Sequence, residues 1–236
     1  MADVMPTVAR NTLLSALEER RRQQMKKYLL QRMIVVAILQ ENASEDEITD
    51  YHEQLFQKIS RSHLGEGASG ILLIYSQCIL HILEASSGTL YNILMDLSLF
   101  ENQGTAALLQ DIKILVMSHN IPTRLFPQWN ATKLEVPVTL EDVTQTQTIE
   151  EVINECLTLI LKMGVYLVTL KVGNKGLGEC LQTAVPELLI PAETIQYLCR
   201  SQECLSPGKF LKMYNNPVQP QMDAETVWPT PIHMST

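Results

Sequence analysis

The stretch Gly70–Glu84, GILLIYSQCILHILE, decides the fold. Two apolar runs, Ile71–Tyr75 and Ile79–Leu83, flank a short polar pair, Ser76-Gln77. Short runs of this kind, separated by two polar residues, predict a β-hairpin. The other elements are assigned outward from this hairpin.

A strand and a helix are predicted before the hairpin. Met33–Leu39, MIVVAIL, is short, apolar and rich in β-branched residues, which is typical of a buried strand. Glu45–Ile59 carries apolar residues at helical spacing. Ser44 and Glu47 stand three residues apart, as in a capping box, and therefore predict where this helix begins.

A second helix and two strands are predicted after the hairpin. Gly88–Leu97 has a helical apolar face, and Asp111–Met117 is strand-like. Asn120–Trp129 contains two prolines and is expected to hold a turn and a final strand. The order β-α-β-β-α-β-β predicts an α+β, ferredoxin-like sheet with two helices on one face.

Helices are also predicted outside the sheet. Thr7–Lys27 forms an N-terminal helix, and Ile149–Leu170 is long and amphipathic enough to dock on the other face of the sheet. Pro191–Arg200 and Pro207–Tyr214 are shorter helices that begin with proline. The predicted organisation is a basic N-terminal helix in residues 1–32, a sheet domain in 33–131, a linker in 132–148, a C-terminal helical extension in 149–214 and a flexible tail in 215–236.

Composition limits the function classes. The chain has 236 residues, 46% hydrophobic and 19% charged, with a net charge of −8. Between Glu18 and Arg32 six basic residues face two acidic ones, which leaves 12 basic and 24 acidic residues elsewhere. An acidic body offers nucleic acid no broad binding surface. The basic segment either contacts an acidic surface, a phosphate or a lipid headgroup, or is a solvated helix face.

The cysteines and apolar segments indicate a cytoplasmic protein. The five cysteines are odd in number, and none has C-x-x-C spacing. Reduced thiols in a cytosolic compartment are the simplest interpretation. We expect no transmembrane segment, because Cys156–Val172 holds Lys162 and Lys171 and is shorter than the roughly 20 residues that a bilayer needs.

Four motifs around the hairpin resemble BLUF domains, the flavin-binding blue-light sensors. They stand in the order and spacing of that family: Ser69-Gly70, Tyr75-Ser76, Leu83-Glu84, and Arg124 to Trp129 with the pattern Arg-x-Phe-x-x-Trp. The resemblance implies a BLUF-type sheet over residues 33–131.

The departures from the family concern the flavin relay. The resemblance assigns the relay tyrosine to a position near Ile38, the asparagine to His63 and the glutamine to His81. The methionine after the tryptophan corresponds to Ala131. Because every one is changed, the resemblance implies a degenerate pocket without the photocycle. A pocket that still binds flavin or a nucleotide is the alternative.

The whole chain also resembles a family of mammalian testis-expressed proteins. That resemblance implies male germ cells and a place in the sperm flagellum. We therefore expect a non-enzymatic interaction or structural protein without a cofactor. Its expected partners are unidentified proteins of the flagellum or axoneme, with a homodimer allowed and nucleic acid excluded.

Other chemistry has weaker support in the sequence. His63 and His81 could meet as a metal pair, but no further ligand is placed to complete a site, so two hydrogen-bonded histidines are the plainer interpretation. Cys78 lacks a base, because His81, three residues further along the strand, faces the opposite side of the sheet. Gly173–Gly178 lacks the ending of a phosphate loop and is better explained as a helix end and turn.

Overall fold

The computed structural model describes residues 12–23, 29–41, 43–62, 67–135, 147–170 and 177–216. The strands are β1 (Leu30–Leu39), β2 (Ser69–Ile74), β3 (Cys78–Ser86), β4 (Leu109–Ser118) and β5 (Trp129–Lys133). The helices are α1 (Leu13–Gln23), α2 (Glu45–Ser62), α3 (Ser87–Phe100), α4 (Ile149–Leu170), α5 (Leu177–Ala184), α6 (Ala192–Arg200) and α7 (Pro207–Tyr214). The predicted α+β class is confirmed.

The five strands form one mixed sheet in the order β4-β1-β3-β2-β5. β1 is an inner strand and pairs antiparallel with both β3 and β4. β2 pairs antiparallel with β3 and parallel with β5. The first four strands therefore have the ferredoxin-like arrangement, and β5 adds a parallel edge strand to it.

The hairpin forms where the sequence predicts it. The backbone N–H of Tyr75 donates to the carbonyl of Cys78 at 2.9 Å, and this bond closes the turn around the exposed Ser76 and Gln77. Every residue of β2 and β3 is buried. Burial on both sides explains why these strands have continuous apolar runs instead of an alternating pattern.

Helices α2 and α3 cover one face of the sheet. Ser44 and Glu47 form the predicted capping box: the Ser44 N–H donates to Glu47 Oε2 at 2.9 Å, and the Glu47 N–H donates to Ser44 Oγ at 3.1 Å. In α3 the predicted inner positions are all buried, namely Leu90, Ile93, Leu94 and Leu97. These side chains pack against the odd-numbered residues of β1 from Met33 to Leu39.

Helices α4, α5 and α6 cover the opposite face. The bounds of α4 match the prediction, and its residues Val152, Cys156, Ile160 and Met163 are at most 4% exposed. They share one core with the even-numbered positions Ile34 and Val36 of β1 and with residues of α5 and α6. The C-terminal helical extension is therefore one of the layers of the sheet domain and does not form a separate core.

Some elements differ from the sequence prediction. β1 begins at Leu30, three residues before the predicted start, and β5 begins only at Trp129. The helix α5 and the 3-10 turn Pro186–Leu188 were not predicted. The outer parts of the predicted N-terminal helix, most of the linker, the glycine loop before Leu177 and residues 217–236 of the tail lie outside the described residues.

The C-terminal chain also reaches the edge strand β4. The N–H of Ile114 donates to the carbonyl of Leu205 at 2.9 Å, which forms an isolated antiparallel bridge. Directly after this bridge, α7 returns to the face of α2 and α3, where Leu211 is buried in their core. The extension therefore contacts both faces of the sheet and one of its edges.

A buried carboxylate fixes the segment that carries the Arg-x-Phe-x-x-Trp motif. Glu84 on β3 is 0% exposed and pairs with Arg32 of β1, whose Nε lies 2.7 Å from Glu84 Oε1. The same carboxylate accepts the backbone N–H groups of Leu125 at 2.8 Å and Phe126 at 3.0 Å. These bonds satisfy a charge that would otherwise be costly to bury.

Arg124 completes this arrangement, which we call the Glu84 latch (Arg32, Glu84, Arg124 and the N–H groups of Leu125 and Phe126). One guanidinium nitrogen of Arg124 donates to Ser69 Oγ at 2.7 Å and to the carbonyl of Glu84 at 2.6 Å. The motif residues that resemble the BLUF family therefore hold the segment between β4 and β5 against β2 and β3.

Gly70 belongs to the same region and has a steric role. Its φ of +146° is rare for residues with a side chain. A Cβ built there would lie 1.9 Å from the carbonyl oxygen of Ile82 on β3. The close approach of β2 and β3 at this point therefore requires glycine.

We predict that Glu84→Gln destabilises the fold strongly. The substitution leaves the Arg32 guanidinium, only 13% exposed, without its ion pair, and breaking such a buried pair costs on the order of 3 kcal/mol. Urea unfolding followed by circular dichroism measures this change in the free energy of unfolding. The control is Glu19→Gln, because Glu19 is exposed and 3.5 Å from Arg22, so its loss costs less than about 1 kcal/mol. Equal stability of the two variants would contradict a structural role for the latch.

Candidate functional site

The degenerate pocket predicted from the family centres on His81, in the middle of β3. His81 is 1% exposed and stands opposite Val35 in the sheet register, on the face covered by α2 and α3. The indole N–H of Trp129 donates to His81 Nε2 at 2.9 Å. This bond makes Nε2 the unprotonated nitrogen of the His81 ring.

A second buried histidine, His52 on α2, contacts His81. The two rings meet edge to face with their centroids 4.6 Å apart. His52 Nδ1 donates to the carbonyl of Ile48 at 2.8 Å, and its Nε2 is buried without a hydrogen-bond partner. His52 was not predicted as a site residue, although it lies four residues after Ile48 and three before Leu55, which is the spacing of the inner helix face.

Two further aromatic rings complete what we call the histidine cluster, which consists of His52, Phe56, His81 and Trp129. Phe56 lies 5.2 Å from Trp129 and 6.5 Å from His81, measured between ring centroids. Trp129 also stacks on His52 with a centroid distance of 6.1 Å. The face of β3 around His81 is therefore packed with side-chain rings.

Burial keeps both histidines neutral. Desolvation lowers the pKa of His52 to about 4, although the hydrogen bond to Ile48 opposes this shift. Desolvation, together with the neighbouring His52, lowers the pKa of His81 well below its usual value. A pair of neutral imidazoles in an apolar site packs as a polar part of the core and is poorly placed to hold an anion.

A hydrogen bond ties α2 to α3 above the sheet. Tyr51 Oη donates to Asp96 Oδ2 at 2.7 Å, and burial together with this carboxylate raises the pKa of Tyr51 above its usual range. Lys58 Nζ lies 3.7 Å from the other oxygen of Asp96. This contact fixes the spacing of the two helices that border the predicted pocket.

The predicted pocket positions do not all meet. His81 lies in the cluster, and Ala131 on β5 packs at the edge of the same core. The predicted placement of Ile38 in the pocket is wrong: its side chain packs in the core under α4 and α6, on the opposite face of the sheet. An assignment that is off by one residue on a strand moves a side chain to the other face. His63 lies outside the described residues.

The residues present do not fit an isoalloxazine ring beside His81. A flavin ring against this part of β3 would have to displace His52, Phe56 and Trp129, which already surround His81. The Tyr51–Asp96 bond would also have to break to part the helices. The site beside His81 therefore supports no flavin chemistry in this chain.

The cysteines of the described residues are free thiols. Cys78 lies on the face opposite His81, as predicted, with its Sγ 3.8 Å from the carbonyl of Ala192. Burial raises the pKa of Cys78 and of Cys156 to about 12. Since the thiolate is the reactive form, both side chains serve packing. Within the described ranges, no group of three or more His, Cys, Asp or Glu side chains could hold a metal ion.

The outer side of α4 is the other unusual surface. Residues Ile149–Thr169 are long and apolar enough to cross a membrane, with a mean hydropathy of 1.5, and 28% of the most apolar window is buried. The buried side packs on the sheet, whereas Leu161, Val165 and Val168 are exposed. The helix is therefore only partly covered by the rest of the chain.

The element order, the hairpin and the latch place the chain among the BLUF-like α+β proteins that the motifs predicted. Similar solved structures include the dark state of the BLUF protein BlrB, 18% identical over 45% of this chain and 72% of that one, with a TM-score of 0.33. A bacterial light-regulated adenylyl cyclase is 16% identical over 72% of this chain and 40% of its own, with a TM-score of 0.33. Klebsiella pneumoniae BlrP1 in a calcium and cyclic-di-GMP complex is 14% identical over 55% and 34%, with a TM-score of 0.34.

The family profile described as testis-expressed protein 47 matches residues 29–216. The chain belongs to the testis-expressed protein 47 family. The match begins just before β1 and extends beyond α7, so it includes the C-terminal helices as well as the sheet.

The histidine cluster predicts a specific pH dependence of stability. Below pH 6.5 His52 and His81 bind protons in the unfolded chain, but their lowered pKa values keep them neutral in the folded state. The stability of the fold therefore falls as the pH falls. Given the folded pKa of about 4, His52 alone contributes a loss of about 2 kcal/mol between pH 7.5 and pH 5.0. Protonation of His81 in the unfolded chain lowers the free energy of unfolding further, in the same direction.

Urea unfolding at both pH values measures this loss. His52→Leu removes one titrating group, and His81→Gln removes the other while keeping an acceptor for Trp129. The double variant should lose clearly less stability on acidification than the wild type. Parallel pH curves for the two proteins would show that the histidines titrate normally in the folded state.

Proposed function

We propose that this chain is a non-enzymatic interaction protein of male germ cells that acts in the cytoplasm and in the sperm flagellum. The family description supports the tissue. Neutral, buried histidines and high-pKa thiols support a role without catalysis. The observation that carries the proposal is the exposed outer side of α4, because a helix docked by one side offers its other side to a partner.

Two patches follow each other along this exposed side. The apolar patch consists of Leu161, Val165 and Val168, which are 37%, 60% and 53% exposed. Glu150, Glu151 and Glu155 precede it and are exposed as well. A partner helix that matches both patches has an apolar part followed by a basic part, and lies antiparallel to α4.

Helix α1 has this pattern. Leu13 and Leu14 at its start are 78% and 66% exposed, and the helix continues into the basic run Arg20–Arg22. From Leu14 to Arg21 the helix rises about 10 Å, and the distance along α4 from Leu161 back to Glu155 is about 9 Å. The apolar and charged parts can therefore pair in the same register.

The first partner in the proposal is a second copy of the chain, with α1 of each copy on α4 of the other. Two such contacts related by a two-fold axis would close a dimer. Proteins of the flagellum or axoneme that present a similar basic, amphipathic helix would use the same surface on α4. The acidic side of α4 disfavours nucleic acid at this surface.

A charge exchange tests the proposed dimer. Replacing Glu150, Glu151 and Glu155 by lysine should weaken self-association about tenfold or more, because the attraction to the basic run Arg20–Arg22 becomes repulsion. Replacing Arg20–Arg22 by glutamate should do the same. Combining both sets should restore association. Sedimentation equilibrium at low salt measures the dissociation constants.

The matched control places the same charge change elsewhere. Glu41, Glu53 and Glu203 are exposed residues outside α4, and their replacement by lysine should leave the association unchanged. A wild-type protein that stays monomeric, or a combined variant that fails to recover, would refute the dimer. In the first case the interaction role would need another partner at α4.

The alternative function, a flavin- or nucleotide-binding sensor, has a direct test. Because the histidine cluster fills the place beside His81, we expect purified protein to show no flavin absorbance in the blue, even after refolding with excess flavin. The absorption spectrum before and after gel filtration measures retention. A yellow protein with a stoichiometric flavin would overturn the interaction proposal in favour of a sensor.

A further inference from the structure

A cavity of about 410 Å³ lies at the end of the sheet where α3 begins, on the side of α7. Its floor is formed by Leu90, Leu94 and Leu211, which are at most 5% exposed. Met117 of β4 and Phe210 of α7 also line it. None of the residues of the histidine cluster borders this cavity, so the site is separate from the degenerate pocket.

The lining of the cavity carries no strong charge. None of the twelve residues that line it among the described parts of the chain is an aspartate, glutamate, lysine or arginine. Its polar groups are side chains such as Gln31, Asn92 and His119. Among the described residues, no lysine or arginine lines the cavity to compensate the desolvation of a phosphate or carboxylate, so this lining favours a neutral ligand.

Aromatic side chains shape the opening. The rings of Phe210 and Tyr214 stack with their centroids 4.7 Å apart and an interplanar angle of 24°. A hydrogen bond of 3.1 Å between Tyr214 Oη and His119 Nε2 holds the outer ring in place. Tyr91 of α3, which is 42% exposed, stands at the same cavity. Flat rings fit between such side chains with favourable stacking.

We propose that this cavity binds a neutral, largely apolar small molecule that contains a ring and carries at least one hydrogen-bonding group. The apolar part lies on the leucine floor, and the hydrogen-bonding group faces the polar side chains at the opening. The volume is within the range of ligand sites in proteins, roughly 300–1,000 Å³. This site does not depend on the proposed dimer, because it lies across the sheet from α4.

Gly88 offers a way to block the cavity without disturbing the core. It lines the cavity, and a Cβ built on it meets nothing within 4 Å. Its φ is not in the left-handed region, and replacing glycine in a helix favours the helix. The phenylalanine side chain of Gly88→Phe is therefore expected to fill the cavity from the side of α3. Gly67→Phe is the matched control, because its Cβ also meets nothing within 4 Å and it lies outside the cavity.

The test is a fluorescence titration of the full chain with Nile red, a neutral ring dye that brightens in apolar sites. We expect a saturable signal for the wild type, binding weakened about tenfold or more by Gly88→Phe, and an unchanged dissociation constant for Gly67→Phe. Flavin mononucleotide, which also has flat rings but carries a phosphate, should fail to displace the dye.

Three outcomes would overturn the inference: no saturable binding by the wild type, equal binding by Gly88→Phe, or displacement of the dye by flavin mononucleotide. Circular dichroism checks that the variants fold. If Gly88→Phe fails to fold, Tyr91→Glu decides in its place, since it adds a charge at an exposed position beside the cavity. Binding of the dye must then fall by a similar factor, and unchanged binding counts against the site.

Discussion

The buried carboxylate of Glu84 is the interaction on which the arrangement of the sheet depends. A single side chain on the central hairpin neutralises Arg32 on β1 and accepts two backbone N–H groups from the segment before β5. This segment has no regular structure of its own, so its path depends on those bonds. With the path fixed, Trp129 arrives beside β2 and can donate to His81. The latch therefore links the edge of the sheet to the interior of the histidine cluster.

The region where the family resemblance predicts a pocket is part of the packed core. Three rings from α2 and β5 occupy the space over His81 on β3, and the Tyr51–Asp96 bond holds the two covering helices together. Glu84, Arg124 and Phe126 of the latch match the motifs that resemble the BLUF family, whereas His81 stands where that resemblance assigns the relay glutamine.

Much of the fold could be predicted from local patterns. The capping box at Ser44, the hairpin turn and the bounds of α4 follow from short-range signals that the structure confirms. The short helix α5 was missed, because eight residues containing a glycine become helical through packing on β5 and on neighbouring turns. The face of Ile38 was misassigned since strand register is set by pairing with distant residues. His52 was missed because it is polar, although its spacing from Ile48 and Leu55 places it on the inner face of α2.

The bridge between Ile114 and Leu205 has a consequence for how the molecule must be handled and how it can evolve. β4 is an outer strand, and an open outer strand invites pairing with other chains. Here a stretch of the last third of the sequence shields part of that edge, while α4 to α6 cover one entire face. A chain shortened to the sheet domain, residues 33–131, would expose both the edge and the face, and would be expected to aggregate during synthesis. Insertions and deletions are therefore tolerated more easily in the connections than in the helices after residue 147, although these helices have no counterpart in the sheet motif itself.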